Sequence, residues 1–299
     1  MAKRGGDPLV GTQILIVSQA LYLGGVFALI ALGLTISYSS TRVVNFAQGE
    51  YFVFGAGVAY YMQSVHGQPA WVALLVVLAG AAAFGLVSER AIMLPIHRSG
   101  IHYAWIISTL AVALTMQSVY SKVFEGALLR PPPLVAGAVD VLGGKVAYQI
   151  FIVIGAAVVI MVAYDQMLRR TSYGAAVRAT AHDPDTTSTF GISVRGIVVV
   201  SFVVSAMITA VAGMLVSPVL FVEPTVGLAY TTNGFVAMVI GGLGSVRGAI
   251  AGGFIVGILN ALVVNLIGPN YGQITVVCVL AVILLVRPTG LFASPAAAH

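Results

Sequence analysis

Charge is scarce in this 299-residue chain: only 8% of residues are Asp, Glu, Lys or Arg, and just nine are acidic. A solvated globular surface needs roughly a quarter or more of its residues charged, so this is not a soluble protein. Cysteine is almost absent. Its single instance, Cys278, lies inside an apolar run, which excludes an intrachain disulfide and a cysteine metal cluster. Five histidines (66, 97, 102, 182 and 299) are scattered, and the spacing of His97 and His102 across a Ser-Gly turn is poor for a metal without further donors. No HExxH, GxSxG or Cys–His arrangement occurs, so no catalytic residue and no metal are expected. The phosphate-cradling string GxxxxGK followed by Ser or Thr is missing as well; Gly143-Gly144-Lys145 runs on into Val146 and lacks the leading glycine. ATP does not bind by that route. Basic residues do not interleave with aromatics, which argues against nucleic acid.

What fills the chain instead is apolar sequence, 59% hydrophobic with a mean hydropathy of +1.03. Runs of about 20 residues, enough to cross a bilayer, recur from end to end. The expectation is an all-α, polytopic membrane helical bundle with about 8–10 membrane segments, forming a single domain over 1–299. Met1-Ala-Lys-Arg resembles the start of a signal peptide, but no small-residue cleavage site closes the long apolar stretch behind it, so it reads as a retained first span over Leu9–Tyr38. Further spans are expected at Ala70–Ser88, Tyr103–Tyr120, Ile150–Leu168, Gly196–Leu220, Ala249–Ile267 and Ile274–Val286. Between them lie a basic loop over Glu89–Ile101 and a Pro-rich loop over Lys122–Tyr148. Arg42, Arg90, Arg98, the arginines of 169–195, Arg247 and Arg287 can all lie on one side, which is then the cytoplasm. The amino terminus falls outside, although Lys3 and Arg4 argue against it.

Two stretches, Val43–Glu50 and Phe221–Asn233, are polar and broken within apolar surroundings, and each leads into a Gly-rich helix. Irregular backbone at membrane depth must be buried in protein or line a watery cavity. Paired interruptions point to a transport path built from an internal repeat. In the first, Asn45, Gln48 and Glu50 fall within six residues. Glu50 is the carboxylate placed to lie at membrane depth away from a loop, with Glu223 a poorer second; Asn45 and Glu50 either cap helix ends near the interface or belong with Gln48 to a pathway or gate.

The largest polar island is 169–195, RRTSYGAAVRATAHDPDTTSTFGISVR, with four of the chain's fourteen basic residues. It spells out a short helix: Asp183 as N-cap, Pro184 at the first position, Asp185 against the positive end of the dipole, and Gly191 as a left-handed exit. Phe190 is the one large apolar side chain of that turn. Such a helix has no lipid to face, so a partner protein is its expected neighbour. The run GGLGSVRGAIAGGFIVG places Gly244, Gly248 and Gly252 four apart, with Gly253 and Gly257 beside them, and small residues at that spacing let helices approach closely.

Three blocks together carry a resemblance over nearly the whole chain: ALIALGLTISYSSTRVVNFAQGEYFVFGAG, SYGAAVRATAHDPDTTSTFGISVRGI, and VIGGLGSVRGAIAGGFIVGILNAL with the closing VRPTGLF. Asn45, Phe46, Ala47, Gly49 and Glu50 resemble the NFAxGE pattern of the LivH-type permeases, the membrane subunits of branched-chain amino acid ABC importers. The resemblance implies an ABC importer permease fold in the bacterial inner membrane. It implies partners: a second, LivM-like permease, two cytoplasmic ATPase subunits that carry ATP and magnesium, and an extracytoplasmic substrate-binding protein. No cofactor is implied on this chain. Within the coupling loop 169–195, Arg178, Asp183, Asp185, Phe190 and Gly191 would engage the ATPase, and Asn45, Gln48 and Glu50 would serve the path. Gln48 stands where histidine is frequent in the family, which widens the expected solute from leucine, isoleucine or valine to related polar or organic-acid compounds. An ion-coupled secondary transporter is the alternative, and an inert membrane scaffold a weaker one.

Overall fold

The computed structural model describes residues 8–99, 104–141, 144–287 and 290–292, with the side chains of 8–12 and 94–99 outside the description. Lys3, Arg4, Gly143, His102, His299 and the side chains of His97 and Arg98 therefore lie outside it. Among the described residues seven helical segments are long and apolar enough to cross a bilayer, the last of them Pro269–Val286, in which a single 3-10 turn leads into the final helix. In chain order the helices are α1 (Pro8–Thr41), α2 (Gln48–Tyr60), α3 (Ala70–Ser99), α4 (Ala104–Val123), α5 (Tyr148–Arg170), α6 (Ser172–His182), α7 (Pro184–Thr189), α8 (Val194–Val216), α9 (Gly227–Gly241), α10 (Val246–Leu266) and α11 (Gly272–Val286). One antiparallel hairpin, β1 (Ala138–Val141) with β2 (Gly144–Ala147), stands between α4 and α5.

Several boundaries differ from the sequence expectation for identifiable reasons. The polar stretch after Tyr38 does not break α1 at once. The hydroxyls of Ser37, Ser39, Ser40 and Thr41 donate to carbonyls three or four residues back, so their polarity is absorbed by the helix itself. The break comes at Arg42, whose φ of 56° is left-handed. The basic stretch expected as a loop from Glu89 is instead helical through Ser99. The arginine-rich island holds two helices rather than one, with α6 preceding the six-residue α7. Gly244, expected among the packing glycines, stands with φ +80° in the α9–α10 turn, where Ser245 then caps α10 by accepting from the Gly248 amide.

The core is built around α1 and α8. α1 lies along α10: a Cβ on Gly253 would fall 2.3 Å from the Ala28 backbone, and one on Gly257 2.2 Å from the Gly24 amide. α9 closes on α10 as tightly, through Gly252 against the Ala237 carbonyl and Gly248 against that of Gly241. In lipid no hydrophobic effect separates helix from tail, so such close approach is how these helices gain dispersion contact. α8 bears the corresponding relation to α3, where Gly85 meets the Phe202 carbonyl.

α2 and α9 are too short to cross alone. Each follows a long helix (α1 or α8) by way of irregular backbone, and each precedes another (α3 or α10). The two triplets therefore repeat one plan with opposite sense. One end of the bundle gathers cations: Arg42 donates to the Ala181 carbonyl at 2.7 Å, while Arg169 and Arg247 share Asp165 at 2.9 and 3.7 Å. By the lysine and arginine bias this end is cytoplasmic. At the opposite end, segment 217–226 is pinned by the Leu129–Val222 bridge, and Arg130 lies over the Phe221 ring while donating to the Pro218 carbonyl.

Candidate functional site

The two broken helices begin against each other. A Cβ built on Gly49 would fall 1.8 Å from the Gly227 carbonyl oxygen, and the Gly49 amide donates to Thr231 Oγ1 at 2.7 Å. On the other side, Gly227 faces the Glu50 carboxylate so closely that any side chain there would strike it. Glu50 is 1% exposed, and its Oε2 has no hydrogen-bond partner. Its carboxylate stands at the start of α9, whose N-cap, Val226, offers no side-chain acceptor. Glu50 lies in the first turn of α2 and against the first residue of α9, so the N-terminal ends of two helices meet at this carboxylate.

The rest of the sequence-picked trio is knotted into this junction. Asn45 Oδ1 accepts from the Ala47 amide at 3.0 Å, an Asx turn that leads the chain into α2, and its amide nitrogen donates to the Tyr51 hydroxyl at 3.4 Å. Gln48 reaches across to α8: Nε2 donates to Thr209 Oγ1 at 2.6 Å, and Oε1 accepts from Ser205 Oγ at 3.0 Å. Ser205 Oγ also lies 2.8 Å from the Gly33 carbonyl on α1. Gly33 is eight residues above the end of α1, or about 12 Å at 1.5 Å per residue, so the junction sits well inside the bundle. Gln48 is fully buried, and its amide is hydrogen-bonded to Ser205 and Thr209 of α8.

Sequence reasoning missed Ser205, Thr209 and Thr231, the partners that tie this knot. For the first two a legible signal existed: Ser201, Ser205 and Thr209 recur four apart on one face of α8. It also misjudged the carboxylates. Glu223 is exposed, whereas Glu89 is 5% exposed inside α3 with Oε2 unpartnered. Among the described residues no group of three or more His, Cys, Asp or Glu could hold a metal ion.

The cation-rich end of the bundle carries the second constellation. Asp183 caps α7, its Oδ1 accepting from the amides of Asp185 and Thr186 at 3.0 and 3.1 Å. The Thr186 hydroxyl bonds the same carboxylate, and together these hold the Asp183 pKa below its ordinary value. Gly191 takes the left-handed exit at φ +78°, and Thr187 is the buried side of the turn. Asp183, Asp185 and Gly191 are exposed, and Phe190 is 79% exposed, an aromatic ring presented on a polar foot. Arg178 is turned back instead, its guanidinium on the Leu168 carbonyl near the end of α5. α6 is fastened from below by Arg42 on Ala181 and from the side by Tyr173 and Ser201, whose hydroxyls lie 3.2 Å apart.

Seven membrane-length helices with two half-helices meeting tip to tip among them are the build of a polytopic membrane protein. Residues 16–287 match the family described as branched-chain amino acid transport system, permease component, and the chain belongs to it. It is 29% identical over 294 residues to the high-affinity branched-chain amino acid transport permease BraD of Pseudomonas aeruginosa strain PAO1, covering 93% of this chain and 94% of that one. It is 30% identical over 288 residues to the LivH permease of Escherichia coli K12, covering 91% and 93%. A shorter match, 34% over 101 residues, is to the ribose import permease RbsC of Haemophilus influenzae, 31% of each chain. Among solved structures, PsaBC from Streptococcus pneumoniae in complex with Fab aligns with a TM-score of 0.50 over 94% of this chain and 95% of that one, at 14% identity, a likeness of fold. The chain is thus a multi-pass ABC permease subunit of the inner membrane, a transport component rather than an enzyme. The ion-coupled alternative finds no support in these relatives.

Proposed function

We propose that this chain is the permease of an importer for branched-chain amino acids or a related small polar or organic-acid solute, driven by a partner ATPase through α6 and α7. The observation that carries this reading is the bond from Arg42 to Ala181. Arg42 ends α1 and opens the six-residue lead into α2, so one guanidinium joins the foot to the chain that positions Gln48 and Glu50. Phe190, Asp183, Asp185 and Gly191 form the outer face of the foot, and a groove on a cytoplasmic ATPase is the surface they fit. Closure of two ATPase subunits displaces the foot as a rigid body, because its caps and its ties to α1 and α8 leave it little freedom of its own. The displacement reaches the Gly49–Gly227 junction through Arg42, where α2 and α9 can part or close. Asn45 and Gln48 act here by holding the tip of α2, and Glu50 by facing α9.

A second, LivM-like permease completes the path, and an extracytoplasmic binding protein delivers solute at the end bearing the β1–β2 hairpin. The reading is tested by reconstitution in liposomes. The assembled complex should accumulate leucine only with ATP, and this chain alone should not accumulate it at all. Uphill accumulation by this chain alone would overturn the proposal.

A further inference from the structure

Asp165 of α5 gathers two arginines at the cation-rich end of the bundle. Arg169, one turn on, donates to Oδ2 through Nε at 2.9 Å. Arg247 of α10 stands 3.7 Å from the same oxygen and makes no hydrogen bond among the described residues. One carboxylate thus holds two guanidiniums together and neutralises one of them, while most of their N–H groups have no partner among the described residues. Both side chains are more than half exposed, at 52% and 67%, and Arg170 is exposed beside them. A guanidinium presents its donors as a planar fork that matches the oxygens of a phosphate. Below each arginine runs an apolar row. On α5, Arg169 and Asp165 continue into Val162 and Val158 at steps of three or four; on α10, Arg247 continues likewise into Ala251, Phe254 and Ile258. The rows descend together along α1, because a Cβ on Gly24 would meet Phe254 and one on Gly25 would meet Ala157, the neighbour of Val158. Val158, Val162 and Ile258 are exposed on helices long and apolar enough to cross a bilayer.

We propose that Arg169 and Arg247 form a headgroup site for an anionic phospholipid, whose phosphate lies between the guanidiniums and whose acyl chains follow the two rows. Basic clusters between membrane helices attract acidic headgroups in this way. The charges match: after Asp165 the pair keeps one positive charge, and a phosphatidylglycerol brings one negative charge. A zwitterionic lipid brings no net charge and gains less. The rows decide between a lipid and a protein partner. A water-soluble subunit would meet the arginines but would have nothing to lay against Val158, Val162 and Ile258, which continue the site into the hydrocarbon layer. A lipid seated there clasps α5, which leads into α6 of the foot, to α10, which packs on α1 and α9. The site stands on charge and helix geometry and does not depend on which solute is carried.

The test titrates the assembled importer in detergent with phosphatidylglycerol, or with phosphatidylcholine of the same chains, and follows the tightest-bound lipid by native mass spectrometry. The wild type should prefer phosphatidylglycerol. Arg169→Gln and Arg247→Gln should each weaken its binding by about fivefold and leave phosphatidylcholine unchanged. Either change leaves Asp165 with one cation fewer, so the combination Asp165→Asn, Arg169→Gln and Arg247→Gln serves as the second variant. It strands no carboxylate, should keep the thermal midpoint of the complex, and should bind the two lipids alike. A wild type that does not discriminate, or a triple variant that still prefers phosphatidylglycerol, would overturn the site. Glycerol phosphate, which carries the phosphate without chains, should not displace the lipid at equal concentration; if it does, the arginines hold a soluble anion and the lipid assignment is wrong. Arginine variants that shed the ATPase yet hold phosphatidylglycerol as the wild type does would give the cluster to the ATPase and sink the proposal equally.

Discussion

Glu50 of α2 and Gly227 of α9 occupy the same point from opposite sides: a Cβ added to Gly227 would stand 2.2 Å from Glu50 Oε1. Gly227→Ala must therefore displace the carboxylate or part the helices, an overpacking cost of about 1–3 kcal/mol. The substitution should lower the thermal midpoint of the purified complex. Glu50→Ala in the same chain makes room and should recover part of the loss, so a double-mutant cycle should give a clear coupling energy. Strict additivity would mean that the two residues do not meet.

Gln48→Leu removes three polar contacts at once and takes from Thr209 Oγ1 the donor it faces in a buried seam between α1, α2 and α8, while Ser205 keeps its bond to the Gly33 carbonyl. Each buried group left unmade costs about 1–3 kcal/mol. The expected result is poor yield and a lowered thermal midpoint. Gln48→His retains a ring nitrogen to donate toward Thr209 and should keep most of both, along with the solute preference of the wild type. A changed preference in Gln48→His, measured by competition among leucine, amides and organic acids, would show that this side chain reaches the solute after all.

How much of this was legible beforehand follows from which residues act locally. Asp183, Pro184 and Gly191 announce α7 because cap, first position and exit depend only on nearby backbone, and the structure places each in that role. The apolar runs announce the spans for the same reason. The partnership of Gln48 with Thr209 joins residues 161 apart in the chain and leaves no local trace. Glu89 looked like the start of a loop because Arg90, Pro95 and Arg98 follow it, yet α3 carries on to Ser99 and buries it.

The foot should respond to its cap. Asp183→Ala removes the acceptor from the amides of Asp185 and Thr186, and Thr187→Pro breaks the hydrogen bond from the Thr187 amide to the Asp183 carbonyl. Both should reduce co-purification of the ATPase, while Asp183→Asn, still a cap, should retain most of it. Phe190→Ala should also reduce co-purification, without changing the thermal midpoint, because an exposed ring supports nothing in its own chain. The sign of the pH effect follows from the lowered Asp183 pKa, which arises first from the Thr186 hydroxyl. The cap's contribution is complete above the ordinary carboxylate range and is lost as pH falls through the lowered value. ATPase association should therefore weaken on acidification, and Asp183→Asn should be less sensitive over the same window.

Arg42 offers the sharpest separation of assembly from coupling. It adopts a left-handed backbone and sends its guanidinium 2.7 Å to the Ala181 carbonyl, near the hinge between α6 and α7. Its ring contact with Tyr38, at 5.8 Å, holds the side chain along the end of α1. Arg42→Gln keeps a polar group but is too short for the same reach, so the foot and the lead into α2 lose their direct tie. The foot itself remains capped by Asp183 and joined to α8 through Tyr173, so the ATPase should still bind. Leucine moved per ATP hydrolysed should then fall by about tenfold, the loss expected of one charge-assisted hydrogen bond. Arg42→Lys should recover part of it, because an ammonium still donates to a carbonyl, though without the planar fork. If Arg42→Gln leaves the ratio of solute to ATP unchanged, the drive reaches α2 and α9 by another path, and α8, the other helix tied to the foot, becomes the element to test.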